Sequence, residues 1–309
     1  MPEPARVVAV VGPTASGKSS LAVRLAQRLG TAEVVNADSM QLYRGMDIGT
    51  AKPTVAERAV VPHHLFDVLD VTEPSSVAEF QGLARAVIAD CHARGVTPVL
   101  VGGSALYVRA VLDRLEFPGT DPEVRARWKA ELDARGTSAL HAELARRDPA
   151  AAAQILPGND RRIVRALEVI ELTGRPFTAT MPGYDSIYPD LTVLGLDVPR
   201  DVLETRLAER VHQMWADGFV EEVRALLPLG LEQGLTAERA LGYQQILAFL
   251  RGELTEDEAR EATLTGTRKF ARRQDRLFRK DPRVHWLPHT ADDLVDQAVD
   301  AVGRGRLGG

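Results

Sequence analysis

A chain of 309 residues, 45% of them apolar, can bury a sizeable core and reads as one large domain or one domain carrying a smaller insertion. The formal charge of −5 argues against a protein that coats nucleic acid nonspecifically, although a net value leaves room for local basic patches. The single cysteine, Cys91, leaves neither an internal disulfide framework nor a cysteine-based zinc site, and no apolar run approaches the length of a membrane span.

The opening MPEPARVVAV carries acids and prolines and runs straight into a strand, so it does not read as a signal peptide, and a cytoplasmic protein is expected. That strand, Val7 to Val11, is continuous and β-branched, as a buried parallel strand should be. Gly12-Pro-Thr-Ala-Ser-Gly17-Lys18-Ser19 follows, then a helix with apolar spacing at Leu21, Leu25 and Leu29. In this context the glycines let backbone N–H groups converge on anionic oxygens, Lys18 adds a positive charge, and the Ser19 hydroxyl is placed to hold Mg2+. A second strand, Glu33 to Ala37, ends at Asp38. Ligands of a doubly wound sheet bind beyond the carboxyl ends of its strands, which places Asp38 near the loop and favours chemistry over turn capping. His63 and His64 are adjacent and do not converge on one metal in most conformations, so a hydrogen-bonding role is expected. Cys91, in AVIADCHARG, reads as part of a buried helical face. The next strand, Pro98 to Val101, ends in glycines and Ser104, without the acid that a nucleotide hydrolase needs there.

From Asp121 to about Thr180 the pattern turns helical and rich in Ala and Arg, with DPEVRARWKAELDARG as a helix and LPGND as a break. This predicts a helical insertion over 121–184, flanked by a core of 1–120 and 185–309. A strand from Leu191 to Val198 returns to the sheet, helices run to about Ala301, and the terminal GRGRLGG should be loose. Trp128, Trp215 and Trp286 form no cofactor-like pattern.

Six stretches, GPTASGKS at 12–19, NADSMQLYRGMDIGTAKP at 36–53, PHHLFDV at 62–68, VLVGGSALY at 99–107, RALEVIELTGRP at 165–176 and ALGYQQ at 240–245, closely resemble the tRNA dimethylallyltransferase family. The likeness runs in order through nearly the whole chain, and the long DSMQLYRGMDIGTAKP segment makes it specific. It implies an α/β fold, a P-loop-type parallel sheet flanked by helices with a helical insertion domain. The implied activity is transfer of a dimethylallyl group from dimethylallyl diphosphate to N6 of adenosine 37 in tRNA, with diphosphate leaving and Mg2+ as cofactor. A cytoplasmic monomer that grips the anticodon arm follows from the same likeness.

Carried over residue by residue, the resemblance makes Asp38 the general base and places Thr14, Ser104 and Arg210 with it in catalysis. Gly12, Thr14, Ala15, Ser16, Gly17, Lys18, Ser19 and Arg210 would hold the diphosphate, with Ser19 toward the metal. The tRNA would meet Asp38, Ser39, Met40, Gln41 and Ser104 at the reacting base. Arg125, Arg161, Arg162 and Arg165 would meet it from the insertion, and Arg239, Gly242, Tyr243, Gln244, Arg272 and Gln274 from the C-terminal part. Basic stretches at 159–165, 239–245 and 267–280 read singly as solvated faces, but together, in an acidic chain, they form an RNA footprint. Two positions depart from the family: Ser104 stands where Thr is frequent, preserving the hydroxyl, and Gln244 stands where Arg is frequent. A nucleotide or small-molecule kinase would predict ATP consumption and leave the basic stretches unexplained. A noncatalytic nucleotide switch would leave Asp38 and Thr14 without a purpose, and a transferase acting on free AMP would need neither the insertion nor the basic helix.

Overall fold

The computed structural model describes residues 6–177 and 183–304, which form two compact units, 6–113 with 186–304, and 114–177 with 183–185. In chain order the first unit begins with β1 (Arg6–Val11), α1 (Lys18–Leu29), β2 (Ala32–Asn36), α2 (Val55–Arg58), β3 (His63–His64), α3 (Val77–Ala93), β4 (Thr97–Gly102) and α4 (Ala105–Leu112). The second unit supplies α5 (Pro122–Arg135), α6 (Thr137–Arg147), α7 (Pro149–Gln154) and α8 (Asp160–Thr173). The first unit resumes with β5 (Asp190–Asp197), α9 (Arg200–Ala216), α10 (Phe219–Leu226), α11 (Tyr243–Leu250), α12 (Glu256–Phe278), β6 (Val284–Pro288) and α13 (Leu294–Arg304).

The strands make one sheet in the order β3-β2-β4-β1-β5-β6, every neighbouring pair parallel. β1 lies between β4 and β5, with Val8 opposite Val99 and Ala9 opposite Val193. Because side chains alternate across a strand, Val7, Ala9 and Val11 pack toward Phe80, Ile88 and Val111 of α3 and α4, while Val8 and Val10 pack toward Leu21 and Leu25 of α1 and Leu294 of α13. Each fully buried Val or Leu contributes on the order of 2 kcal/mol by leaving water. The carboxyl ends of β1, β4 and β2 are therefore fixed side by side, and they lead into Gly12, Gly103 and Ala37 respectively. A third core packs Tyr43 and Met46 against Met214, Phe219 and Tyr243, seating the segment after β2 on α9, α10 and α11.

In the second unit, Asp121 caps α5 ahead of Pro122, and Asn159 caps α8, which stops at Gly174. Its own core joins Trp128, Leu140, Leu144, Ile163 and Leu167. The sequence pattern predicts four strands, and the structure adds two at the sheet edges, the two-residue β3 and the amphipathic β6. α13 runs on through Gly303 and Arg304, past the predicted end near Ala301. The remainder of the expected loose tail, and Thr180, lie outside the described residues. Cys91 is buried on α3, as expected. Among the described residues no helix is long and apolar enough to cross a membrane.

Candidate active site

The loop from Gly12 to Ser19 leaves β1 and enters α1, whose first amides have no partners within the helix and carry the positive end of its dipole. Ala15 sits at φ 62°, a left-handed conformation that costs a non-glycine residue on the order of 1 kcal/mol and is a mark of functional loops. The buried Ser16 hydroxyl has no hydrogen-bond partner among the described residues. Lys18 folds back, its Nζ donating to the Pro13 carbonyl at 3.2 Å. Burial, then the like charge of Arg210, push the Lys18 ammonium down to about 8, while the Asp38 carboxylate acts in the opposite direction. A cation under such pressure gains from an arriving polyanion.

Asp38 is aimed by a local turn. Asn36 Oδ1 accepts the Asp38 N–H at 2.9 Å, Asn36 Nδ2 donates to the Asp38 carbonyl at 3.1 Å, and Asp38 Oδ1 accepts the Met40 N–H at 3.0 Å. Among the described residues nothing donates to Oδ2, which leaves one carboxylate oxygen oriented and available. Ser104 follows the Gly102-Gly103 turn at the start of α4 without using its side chain as a cap. Gly103 leaves room for Gln274, whose Nε2 a Cβ there would meet at 2.4 Å and displace. Gln274, from α12, in turn accepts the Thr14 N–H on its Oε1 at 2.9 Å. Arg210, half-buried on α9, donates from Nη2 to the Thr50 carbonyl at 3.3 Å.

Two recesses meet at these residues. The narrower is lined by Lys18, Ser19, Val23, Gln41 and Phe66. The wider, of about 640 Å³, is lined by Ser39, Met40, Ser104, Arg239, Phe270 and Gln274, among others. Thr14, Asp38, Thr50 and Arg210 line both. The arrangement suits a reaction whose two substrates approach the same atoms from different sides, with an anion on the Lys18 side.

The remaining predicted residues divide. Gly12, Ala15, Ser16 and Gly17 form the loop itself. Gln41 holds the Thr50 and Ala51 carbonyls with its Nε2 at 3.1 and 3.2 Å. Gln244 and Arg239 are exposed, and Arg272 is exposed and paired with Glu204 at 2.8 Å. Gly242 gives its N–H to Gln245. Tyr243, expected to touch RNA, is instead a core side chain at 0% exposure whose hydroxyl donates to Glu222 at 2.5 Å. In the second unit, Arg125 and Arg165 are bound to the fully buried Glu168 at 2.8 and 3.0 Å, whereas Arg161 and Arg162 are exposed on the first turn of α8. Thr50 and Glu222 escaped the sequence reading. Thr50 acts through its backbone carbonyl, and nothing in VEEV separates Glu222 from the exposed Glu221 beside it.

For a metal, the exposed Ser19 hydroxyl at the start of α1 and the Asp38 carboxylate on the same recess offer the hard oxygen donors that suit Mg2+. Glu33, His64 and Cys91 also bring ligand atoms within 4.8 Å of one another. There, however, Arg94 already serves as the cation, donating to both Glu33 oxygens at 2.7 Å, and burial pushes the Cys91 thiol up to about 11. His64 binds Glu33 at 2.7 Å and His63 binds the Val61 carbonyl at 2.7 Å, so both histidines do take hydrogen-bonding roles.

A family model described as IPP transferase matches residues 41–281, and one described as isopentenyl transferase matches residues 5–68. A tRNA dimethylallyltransferase of Thermobifida fusca is 64% identical over 300 residues, covering 96% of this chain and 94% of the relative. One of Streptomyces coelicolor is 62% identical over 310 residues, covering 97% and 99%. The solved tRNA isopentenylpyrophosphate transferase of Bacillus halodurans superposes with a TM-score of 0.72 at 40% identity, over 97% of this chain and 98% of its own. A solved eukaryotic dimethylallyltransferase acting on tRNA gives a TM-score of 0.82 at 26% identity, over 98% and 79%.

Proposed function

The chain belongs to the tRNA dimethylallyltransferase family, and on that premise we propose how its residues divide the work of prenyl transfer to tRNA. The acceptor is N6 of adenosine 37, next to the anticodon, and the donor is dimethylallyl diphosphate. The N6 lone pair attacks the allylic carbon, the C–O bond to diphosphate breaks, and the N6 proton passes to the free oxygen of Asp38. An allylic carbon tolerates positive charge, so the barrier falls chiefly as the charge growing on diphosphate is stabilised. The amides of Ala15 and of Gly17 to Ser19, with the Lys18 and Arg210 side chains, do this from the narrow recess. The Ser19 hydroxyl would hold Mg2+, which would supply further charge neutralisation. Asp38 activates an amine whose lone pair is delocalised into the purine, and the Thr14 and Ser104 hydroxyls border the same point.

The observation that carries this reading is the sharing of Thr14, Asp38, Thr50 and Arg210 by two recesses, one beside the phosphate loop and one wide enough for a base turned out of its stack. Ser39, Met40, Gln41, Arg239 and the exposed Gln244 and Arg272 are assigned to the tRNA on the wide side. The helical unit is assigned to the anticodon arm through Arg161 and Arg162. We place the enzyme in the cytoplasm, acting as a monomer. Incubation with unmodified tRNA, Mg2+ and dimethylallyl diphosphate, followed by nucleoside mass analysis, should give an adenosine heavier by one dimethylallyl group and one released diphosphate. Absence of that product, or a requirement for ATP, would overturn the assignment.

A further inference from the structure

We infer that Glu222 is a positioning residue for prenyl transfer, holding the segment 47–50 so that the Thr50 carbonyl aims Arg210 at the diphosphate; this rests on Arg210 being the diphosphate clamp. Glu222 projects from α10 and accepts four hydrogen bonds. Its Oε2 takes the N–H groups of Asp47 and Ile48 at 3.0 and 2.6 Å, and its Oε1 takes the Gly49 N–H at 3.2 Å and the Tyr243 hydroxyl at 2.5 Å. Three consecutive backbone donors thus converge on one carboxylate, as they would on a bound anion. None of the three has a backbone acceptor among the described residues, so without Glu222 they would be left to water or the segment would refold.

The clamped segment leads directly to the reacting groups. Gly49 is pressed so close to α10 and α11 that a Cβ would meet Phe219 at 2.2 Å and Tyr243 at 2.6 Å. The next residue, Thr50, lines both recesses and offers its carbonyl to Arg210 Nη2 and Gln41 Nε2. The Thr50 hydroxyl is turned away, donating to the Met46 carbonyl at 2.7 Å, so the backbone oxygen alone faces Arg210. A guanidinium held by one long contact follows that oxygen wherever the segment goes. Glu222 therefore touches neither substrate and acts through the position of Arg210.

The test compares the parent enzyme with Glu222→Gln, Glu222→Asp, Arg210→Ala and the double variant of Glu222→Gln with Arg210→Ala. A glutamine keeps the volume but replaces one acceptor oxygen with an NH2 facing backbone donors. Loss of hydrogen bonds to a charged group should lower kcat/KM for dimethylallyl diphosphate about tenfold or more, with tRNA affinity nearly unchanged and the protein still folded. Glu222→Asp, which keeps the charge but falls short by a methylene, should lie between. If Glu222 acts through Arg210, adding Glu222→Gln to Arg210→Ala should cost little more than Arg210→Ala alone. Parent-like donor kinetics in Glu222→Gln, or losses that multiply in the double variant, would overturn the inference. A parent-like Arg210→Ala would overturn the clamp assignment and the inference with it, which separates the two failures. If Glu222→Gln does not fold, Glu222→Asp carries the same comparison.

Discussion

Lys18 and Asp38 are opposite charges in one recess, and each makes a distinct demand on pH and chemistry. The lysine is pushed down to about 8 by burial and by Arg210, so it is protonated below that value and neutral above it in the free enzyme. Since kcat/KM reports the free enzyme, its value for the donor should fall as pH rises through about 8, at saturating tRNA. Arginine stays charged throughout this range, so Lys18→Arg should abolish that decline even if its plateau is lower. A pH profile of both proteins decides it. For Asp38→Asn, the amide keeps the hydrogen bond to Met40 but cannot take a proton, and turnover should drop by ~10² to 10⁴ with donor affinity retained. Single-turnover rates near those of the parent would remove Asp38 as the base.

Two arginines on α8 look alike in sequence and differ in the structure. Arg165 is spanned by Glu168 and the carbonyls of Pro118 and Gly119, while the Arg161 side chain has no such partner among the described residues. On single-stranded RNA each released phosphate contact changes the slope of log K against log salt by roughly 0.7, so Arg161→Ala should make tRNA binding less salt-dependent by about that amount. Arg165→Ala should instead destabilise the helical unit by on the order of 1 to 3 kcal/mol, because the fully buried Glu168 carboxylate loses one of its two arginines and keeps Arg125 and the Asp121 N–H. Salt titration of tRNA binding and urea unfolding, run on both variants, separate the roles. This is also where the sequence was least informative. An arginine in a basic stretch carries the same charge whether it meets solvent, RNA or a buried carboxylate, and the partner in α8 lies only three residues further on. The placement of Asp38 beside the loop was legible because strand ends place ligands, whereas the burial of Tyr243 was not, because an aromatic in a polar stretch is as easily a core residue.

At the scale of the whole sheet, the central strands were readable from their continuous apolar runs, and the edges were not. β3 is two residues long, and β6 buries only Val284 and Leu287 of its five residues, so neither presents the signal of a buried parallel strand. β2, the strand inside the β3 edge, carries a stability switch. Arg94 hydrogen bonds hold the Glu33 carboxyl at about 2, against an ordinary 4.5 and against the opposing effect of burial. The group is thus more acidic folded than unfolded, so its stabilising contribution is full above 4.5 and is lost as pH falls toward about 2. Glu33→Gln should flatten the acid limb of the stability curve across that window, measured by urea unfolding at successive pH values; an unchanged limb would assign the acid sensitivity elsewhere.

Thr14 surrenders its amide to a side chain 260 positions downstream, and β1 is completed on one side by β4 and on the other by β5, made only after the helical unit. On the ribosome, then, the loop that grips the donor exists early as sequence but late as a structure. A growing chain cannot consume prenyl diphosphate, and a message broken before α12 yields a fragment whose phosphate loop lacks the glutamine that sets it. Competence waits on α12.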